Sequence, residues 1–132
     1  MRHFHWNPDD TVFQPEFDAE HRELFRLGED LQHAVETGTA ETIEEKMRLL
    51  AAGFEAHLAH EERLMVAAGY SGYEWHKRQH DAVRERLQSL RSEPNELLPY
   101  IAGWFRDHTG VADRMMAAAL RNAGRATSQA AS

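Results

Sequence analysis

Histidine and carboxylate side chains repeat at four-residue steps in the middle of the chain. His57 is followed by Glu61, and His76 is followed by His80. Four residues make about one turn of an α-helix, so each pair shares a helix face and can reach the same internal point. Imidazole nitrogens and carboxylate oxygens without thiolate suit iron, and also manganese or zinc. The two pairs therefore predict a metal site inside a helical protein.

Further candidate ligands lie near the two ends of the chain. His21 and His108 fall on the apolar faces of their own segments, and Asp113 follows His108 by five residues. In an ideal helix five residues rotate by about 500°, which leaves two such side chains about 140° apart. If both bind metal, we expect a π-type bulge between them, and Gly110 would ease it. Five histidines and two carboxylates exceed the needs of one ion but suit two, because a carboxylate can bridge metals.

Apolar residues recur at three- and four-residue steps in four segments, separated by glycine, proline and turn-like stretches. We expect the first helix to begin near Asp18 as its N-cap and to end before Gly38. The next two helices are expected at about 39–68 and 72–91, and the fourth is expected to begin between Asn95 and Pro99. No strand-like alternation competes. The prediction is an all-α, up-down-up-down antiparallel four-helix bundle over 1–122, with an irregular N-terminal arm (1–17) and a flexible polar tail (123–132).

Composition narrows the function classes. A chain of 132 residues suits one domain, and the absence of cysteine excludes disulfides and zinc–thiolate sites. A net charge of −7 without a basic cluster argues against nucleic acid as a partner. No apolar run approaches the ~20 residues of a membrane span, and the first residues lack the apolar part of a signal peptide. We therefore expect a cytoplasmic protein with no membrane insertion.

Histidines on inward faces also have a purely structural interpretation. A single buried imidazole is usually satisfied by a carbonyl group or water. Five of them on four inward faces are harder to satisfy separately, since each unpaired polar group costs roughly 1–3 kcal/mol. Two known metal patterns are absent: the Glu-x-x-His motifs of ferritin-like di-iron proteins and the His-Glu-x-x-His motif of zinc proteases.

The order of the candidate ligands resembles the hemerythrin family, specifically the single-domain bacteriohemerythrins. The matching stretches are "DAEHREL", "HLAHEERLM", "HKRQH" and "HTGVAD", which fill all seven family ligand positions in order. The "GY" after the second helix and Trp104 before the last histidine also match. The resemblance runs from Trp6 to about Leu120.

The resemblance implies a non-haem di-iron centre with an oxo or hydroxo bridge, at which dioxygen binds. His76, His80 and His108 would hold one iron, while His21 and His57 would hold the other. Glu61 and Asp113 would bridge the two, and the second iron would keep an open position for dioxygen. The implied function is reversible dioxygen binding for storage, delivery or sensing, without enzymatic turnover. Two alternatives stay open: a di-iron oxidase or peroxidase, and a regulatory module that signals oxygen or iron to a partner. A redox or oxygen-accepting protein partner is compatible with each.

Apolar residues beside the ligands are expected to line the dioxygen pocket, namely Leu24, Leu58, Trp104 and Phe105. The residue after the last histidine is usually aliphatic in this family, but here it is Thr109. One hypothesis is that its hydroxyl admits water or donates a hydrogen bond, and so shortens the life of the oxygenated form. The alternative is that Thr109 bonds a helix carbonyl and faces away. We expect His60 and Glu62 to lie on other helix faces, in contact with solvent.

Overall fold

The computed structural model describes residues 11–12 and 14–131, and it describes side chains up to residue 124. These residues form helices and connecting turns, without a strand among them. The helices are α1 (Pro15–Thr37), α2 (Ala40–Ala68), α3 (Tyr73–Ser89), α4 (Pro94–His108) and α5 (Arg114–Ala131). A π-helical segment, Thr109–Asp113, joins α4 to α5, so the last two helices form one continuous fourth stretch. The predicted all-α four-helix bundle is confirmed.

The first helix begins earlier than the sequence predicts. Pro15 occupies its first turn, and the Gln14 side chain accepts a hydrogen bond from the Phe17 amide at 2.8 Å. The prediction that Asp18 is the N-cap is therefore wrong. Asp18 is buried and accepts hydrogen bonds from Thr11 Oγ1 (2.6 Å) and the Val12 amide (2.8 Å). Its carboxylate thus fixes the end of the arm; residues 1–10 and 13 lie outside the described residues.

The ends of α2 agree with the sequence prediction. Thr39 caps its start by accepting a hydrogen bond from the Thr42 amide, and Gly69 ends it in the left-handed region at φ 64°. That backbone conformation favours glycine, which has no Cβ to collide with the chain.

The fourth helical stretch begins slightly earlier than the prolines in the sequence predict. It begins at Pro94, just before the predicted interval, and Pro99 lies inside α4. Pro99 lies beyond the first turn and has no amide hydrogen to donate to the carbonyl of Asn95, so α4 lacks one hydrogen bond near its start. At the other end the backbone stays helical through Ala131. No helix end marks residue 122, so the boundary of a flexible tail stays a prediction.

The core is divided into two apolar clusters with polar residues between them. On α2, Phe54 and Leu58 belong to the larger cluster, and Met65 belongs to a smaller one with Val12 and Phe17. His57 and Glu61 lie between these positions on the same helix and are equally buried. The bundle therefore has a polar centre enclosed by hydrocarbon at both ends. Among the described residues, no helix is long and apolar enough to span a membrane.

Candidate metal centre

All seven predicted ligands meet in the centre of the bundle. None of them is more than 4 % exposed to solvent. They form two groups, in each of which the potential ligand atoms lie within 4.8 Å of one another. Glu61 and Asp113 belong to both groups; the other members are His76, His80 and His108 in the first and His21 and His57 in the second.

In the two-histidine group, one oxygen of each carboxylate faces the imidazoles. Glu61 Oε2 lies 3.0 Å from His57 Nε2 and 3.8 Å from His21 Nε2. Asp113 Oδ2 lies 3.3 Å from His21 Nε2.

In the three-histidine group, the other oxygen of each carboxylate plays the same part. Glu61 Oε1 is 3.1 Å from His80 Nε2 and 3.4 Å from His76 Nε2. Asp113 Oδ1 is 2.9 Å from His108 Nε2 and 3.1 Å from His76 Nε2. Each carboxylate therefore divides its two oxygens between the two groups, which is the placement of a ligand that bridges two metal ions.

The hydrogen-bonding state of these atoms tests whether metal ions fit. Both oxygens of Glu61, Asp113 Oδ1 and His80 Nε2 are buried without a hydrogen-bond partner. The Nε2 atoms of His21 and His57 face each other at 2.9 Å, and a similar pair from His76 and His108 is 3.1 Å apart. Without a cation, one nitrogen of each pair has to donate to the other, whereas a cation lets both nitrogens and the unpaired carboxylate oxygens act as ligands together. The residues fit two ions bound by nitrogen and oxygen.

The π-helical segment explains how His108 and Asp113 reach one site. A π-helical turn bonds residues five apart, which brings them onto one face of the helix. Thr109–Asp113 forms such a turn, so the predicted bulge is confirmed. Gly110 lies in it, and a Cβ added there would meet nothing within 4 Å.

Three ligand histidines are held from outside by their second ring nitrogen. His57 Nδ1 hydrogen-bonds Glu20 Oε1 at 2.6 Å, and His80 Nδ1 hydrogen-bonds Glu62 Oε2 at 2.8 Å. His108 Nδ1 hydrogen-bonds Gln79 Oε1 at 2.8 Å. With Nδ1 as the donor, each bond leaves the Nε2 lone pair directed at the centre.

Sequence reasoning missed these supporting residues. Glu20 and Gln79 were not singled out, and Glu62, expected to be solvated, accepts the His80 bond with a side chain only 14 % exposed. Each is adjacent in sequence to a ligand, but the histidine it supports belongs to another helix. His60 is not a member of either ligand group; its Nδ1 atom lies 2.6 Å from Glu20 Oε2.

The charges of the centre favour a cation. Burial lowers the pKa of His57, but the charge on Glu61 and a hydrogen bond with Glu20 outweigh it and raise the pKa to about 10. Burial also lowers the pKa of His76, yet the carboxylates of Asp113 and Glu61, 3.1 and 3.4 Å from its Nε2 atom, raise it to about 9. Burial raises the pKa of Glu61, but the charge on His57 and the close imidazole nitrogens of His21 and His76 hold it well below its usual range. Burial and the Glu61 charge raise the pKa of Asp113, but the charge on His108 and the nearby histidines hold it below its usual range, so both carboxylates are ionised at neutral pH.

The residues expected to line the dioxygen pocket do not all lie beside the same group of ligands. Leu24, Leu58 and Phe105 are buried, and the Phe105 ring lies 6.0 Å from the His21 ring, in the two-histidine group. Trp104 instead stacks on His108 with 4.3 Å between ring centroids and 13° between planes. Trp104 therefore covers the outer face of a ligand in the three-histidine group.

Thr109 faces the centre. Its side chain is buried, and Oγ1 donates a long hydrogen bond of 3.5 Å to Asp113 Oδ2. This oxygen is the one that Asp113 presents to the two-histidine group. The structure thus places the hydroxyl inward, beside a carboxylate, and does not support the alternative in which it turns away.

Comparison with known proteins agrees with this geometry. The family described as "Hemerythrin HHE cation binding domain" matches residues 13–120, and the chain belongs to the hemerythrin family. A hemerythrin of Sipunculus nudus is 29 % identical over 115 residues, which are 83 % of this chain and 87 % of that protein. Myohemerythrin of Theromyzon tessulatum is 28 % identical over 93 residues, or 70 % of this chain and 72 % of that protein.

Solved structures show the same fold. A crystal structure of a hemerythrin mutant aligns with a TM-score of 0.83 at 19 % identity, covering 91 % of this chain and 98 % of that one. At this level of identity the likeness concerns the fold alone.

Proposed function

We propose that this protein binds dioxygen reversibly at a pair of iron ions, for oxygen storage, delivery or sensing. The observation that carries the proposal is the division of the carboxylate oxygens. Glu61 and Asp113 each present one oxygen to the two-histidine group and one to the three-histidine group. Relatives that are named hemerythrin and myohemerythrin support the assignment of function.

The two groups differ in a way that suits an added ligand. The first offers three imidazoles and two carboxylate oxygens, whereas the second offers two imidazoles and two carboxylate oxygens. The second position is therefore the one that leaves room for a small molecule. Two iron(II) ions, one held by each group, would supply the electrons that reversible dioxygen binding requires.

The chain supplies orientation and exclusion of water. Glu20 and Glu62 direct histidine lone pairs inward from opposite groups. Leu24, Leu58 and Phe105 form an apolar wall, and they keep the centre away from solvent. A dry, rigid surrounding restrains further reaction of whatever binds inside.

A di-iron oxidase or peroxidase is the second candidate, and Thr109 is the observation that favours it. Its buried hydroxyl donates a hydrogen bond to Asp113, a carboxylate that both ligand groups share. A hydroxyl can take part in proton transfer or hold a water molecule by hydrogen bonds, and an aliphatic side chain can do neither.

The experiment is to load the protein with iron, reduce it without air, add dioxygen, and then purge with argon while recording the visible spectrum. Reversible binding gives an absorption change that appears and disappears over repeated cycles. Immediate decay with release of peroxide would favour the oxidase. Absence of any oxygen-dependent change would contradict the di-iron proposal. His57→Ala should abolish the response, and His33→Ala, at an exposed histidine of α1, is the matched control.

A further inference from the structure

Two surface grooves reach ligand histidines. One lies between α1 and α2, has a cavity volume of about 520 Å³, and includes His57 and Leu24 in its lining. The other lies beside α3, α4 and the π-helical segment, has a volume of about 570 Å³, and includes His108 and Trp104. Either groove is large enough to admit a small molecule toward the centre.

The number of ligands distinguishes the two grooves. His108, in the three-histidine group, lines the second groove, and the stacked Trp104 ring covers that imidazole. His57, in the two-histidine group with one ligand fewer, lines the α1–α2 groove. A molecule that needs a free position is therefore served by the α1–α2 groove.

Apolar side chains lie beside His57 in the lining of the α1–α2 groove. Leu24 is 2 % exposed, Leu27 is half-buried, and both lie against Gly53 of α2. A Cβ on Gly53 would be 2.9 Å from Leu27 Cδ1 and 3.2 Å from Leu24 Cδ2. The ends of the two leucine side chains thus occupy the space that a larger residue would take. Leucine ends occupy a small number of staggered rotamers, and a change between rotamers would move them out of this space.

We propose that the α1–α2 groove is the access path for dioxygen. Leu24 and Leu27 are its gate, and the missing side chain of Gly53 leaves room for the ends of these two residues. This inference rests on the proposed function. Leu24, Leu27, Gly53 and Ala56 give the groove an apolar stretch, beside charged residues such as Glu20 and Arg63. An apolar stretch suits a small neutral molecule, because passing it requires no removal of tightly bound water.

The test fills the groove from its exposed side. Ala56 is exposed on α2 and lines the groove, so Ala56→Trp covers it. Ala51→Trp makes the same change at an exposed alanine of the same helix that lines a different groove. In stopped-flow measurements on iron-loaded protein, we expect Ala56→Trp to slow dioxygen association and dissociation equally, by about fivefold or more. The Kd should be unchanged, since only the path is obstructed. Ala51→Trp should leave both rates unchanged.

A second variant shifts the rates the other way. Leu27→Ala removes half of the gate and should accelerate both association and dissociation. Equal rates in Ala56→Trp and Ala51→Trp, with oxygen binding intact, would refute the path. Slower binding in Gly103→Trp alone, at a residue lining the second groove, would also refute it.

A measurement on metal-free protein separates this inference from the proposed function. Dissolved dioxygen is paramagnetic and accelerates relaxation of methyl groups that it reaches. We expect Ala56→Trp to reduce this effect at Leu24, while leaving it unchanged at Leu90, which lies elsewhere in the core. If Leu24 responds equally in both alanine variants, the path is refuted even when the loaded protein binds oxygen. If the loaded protein binds no oxygen, the proposed function fails, and the methyl result still tests the path.

Discussion

Charged side chains outside the ligand set hold His80 in place. Glu62 accepts from His80 and is itself held by Arg84, whose Nη1 lies 2.7 Å from Glu62 Oε2. Arg84 also forms hydrogen bonds of 2.8 and 3.2 Å with Glu55. Burial raises the pKa of Glu62, but the hydrogen bonds with Arg84 and His80 outweigh it and lower the pKa. Glu62 is thus an anionic acceptor that fixes His80.

Removal of Glu62 should weaken metal binding. Glu62→Ala frees His80 Nδ1, and loss of such a support typically costs about 10–100-fold in metal affinity. Competition titration with a chelator measures the effect. Glu55→Ala is the matched control, because Glu55 bonds the same arginine without touching a ligand histidine. Equal affinity in the two variants would show that Glu62 does not orient His80.

We propose that the Thr109 hydroxyl shortens the lifetime of the oxygenated form. Thr109→Val keeps the shape of the side chain and removes the hydroxyl beside Asp113, so we expect slower autoxidation than in the unchanged protein. Thr109→Ile should act in the same direction. The decay of the oxygenated spectrum measures the rate, and Thr109→Ser, which keeps the hydroxyl, should not slow it. An unchanged rate in both aliphatic variants would refute a role for the hydroxyl.

At the residue scale, the sequence predicts ligands better than their supports. The His57–Glu61 and His76–His80 steps define helix faces by themselves, because periodicity within one helix is a local property. Glu20 could not be predicted in the same way, since its partner His57 lies on α2 and their contact depends on how two helices pack. Asp18 was misread as a cap for a similar reason: its partners belong to the arm.

The fourth helical stretch shows how one irregular turn serves the centre. A regular helix would direct the residue four after His108, Ala112, toward the centre, whereas the π-helical segment directs Asp113 there. Both side chains are buried, so burial alone does not decide which position carries the ligand. The five-residue spacing in the sequence predicted this irregularity, because a straight helix would leave the two ligands about 140° apart.

Moving the carboxylate by one residue tests the π-helical turn. The double variant Ala112→Asp with Asp113→Ala should bind metal no better than Asp113→Ala alone, because position 112 does not face both groups. We expect each of these two variants to bind the second ion at least about tenfold more weakly, a loss as large as that from removing a side chain that supports a ligand. Metal titration with the unchanged protein as reference measures this. Full recovery of two-metal binding in the double variant would mean that the segment is a regular helix.

Element boundaries were less predictable than element types. The predicted start of α1 is wrong because Asp18 is not a cap and has other partners. The predicted start of α4 is too late because it was based on the position of proline. The predicted bounds of α2, about 39–68, are close to the observed ones because its ends depend on a side-chain cap and a left-handed glycine, which act within a few residues. Tertiary contacts override local preferences at the other ends.

The whole molecule encloses ionised groups between two hydrocarbon clusters. Folding keeps them there only because opposite charges face each other or face a cation. In metal-free protein, the raised pKa of His57 and the lowered pKa of Glu61 indicate that protonated imidazole partly fills the place of a metal ion. Metal ions and protons therefore compete for one centre.

The stability of metal-free protein should depend on pH in a defined window. The pKa of His57 rises from 6.5 to about 10 on folding, so its contribution is fully present below pH 6.5 and is lost as pH rises toward 10. The lowered pKa of Glu61 acts oppositely, and its contribution is present above pH 4.5 and lost at lower pH. Denaturant unfolding of metal-free protein should thus show lower stability at pH 9.5 than at pH 6.5.

His57→Gln provides the control for that window. This variant should show a smaller decline between pH 6.5 and 9.5, because His57 no longer contributes and only the other histidines with raised pKa values, such as His76, remain. Iron-loaded protein should also show a smaller decline, since the metal holds His57 deprotonated throughout. An equal decline in all three samples would contradict the assignment to His57.

The most direct test of the account is anomalous diffraction from crystals of the iron-loaded protein at the iron absorption edge. We expect two peaks in the bundle centre, separated by about 3.5–4 Å as in other two-metal sites. Both peaks should lie within bonding distance of Glu61 and Asp113, one beside His76, His80 and His108 and the other beside His21 and His57. A single peak, or two peaks that share neither carboxylate, would contradict a centre built on bridging carboxylates.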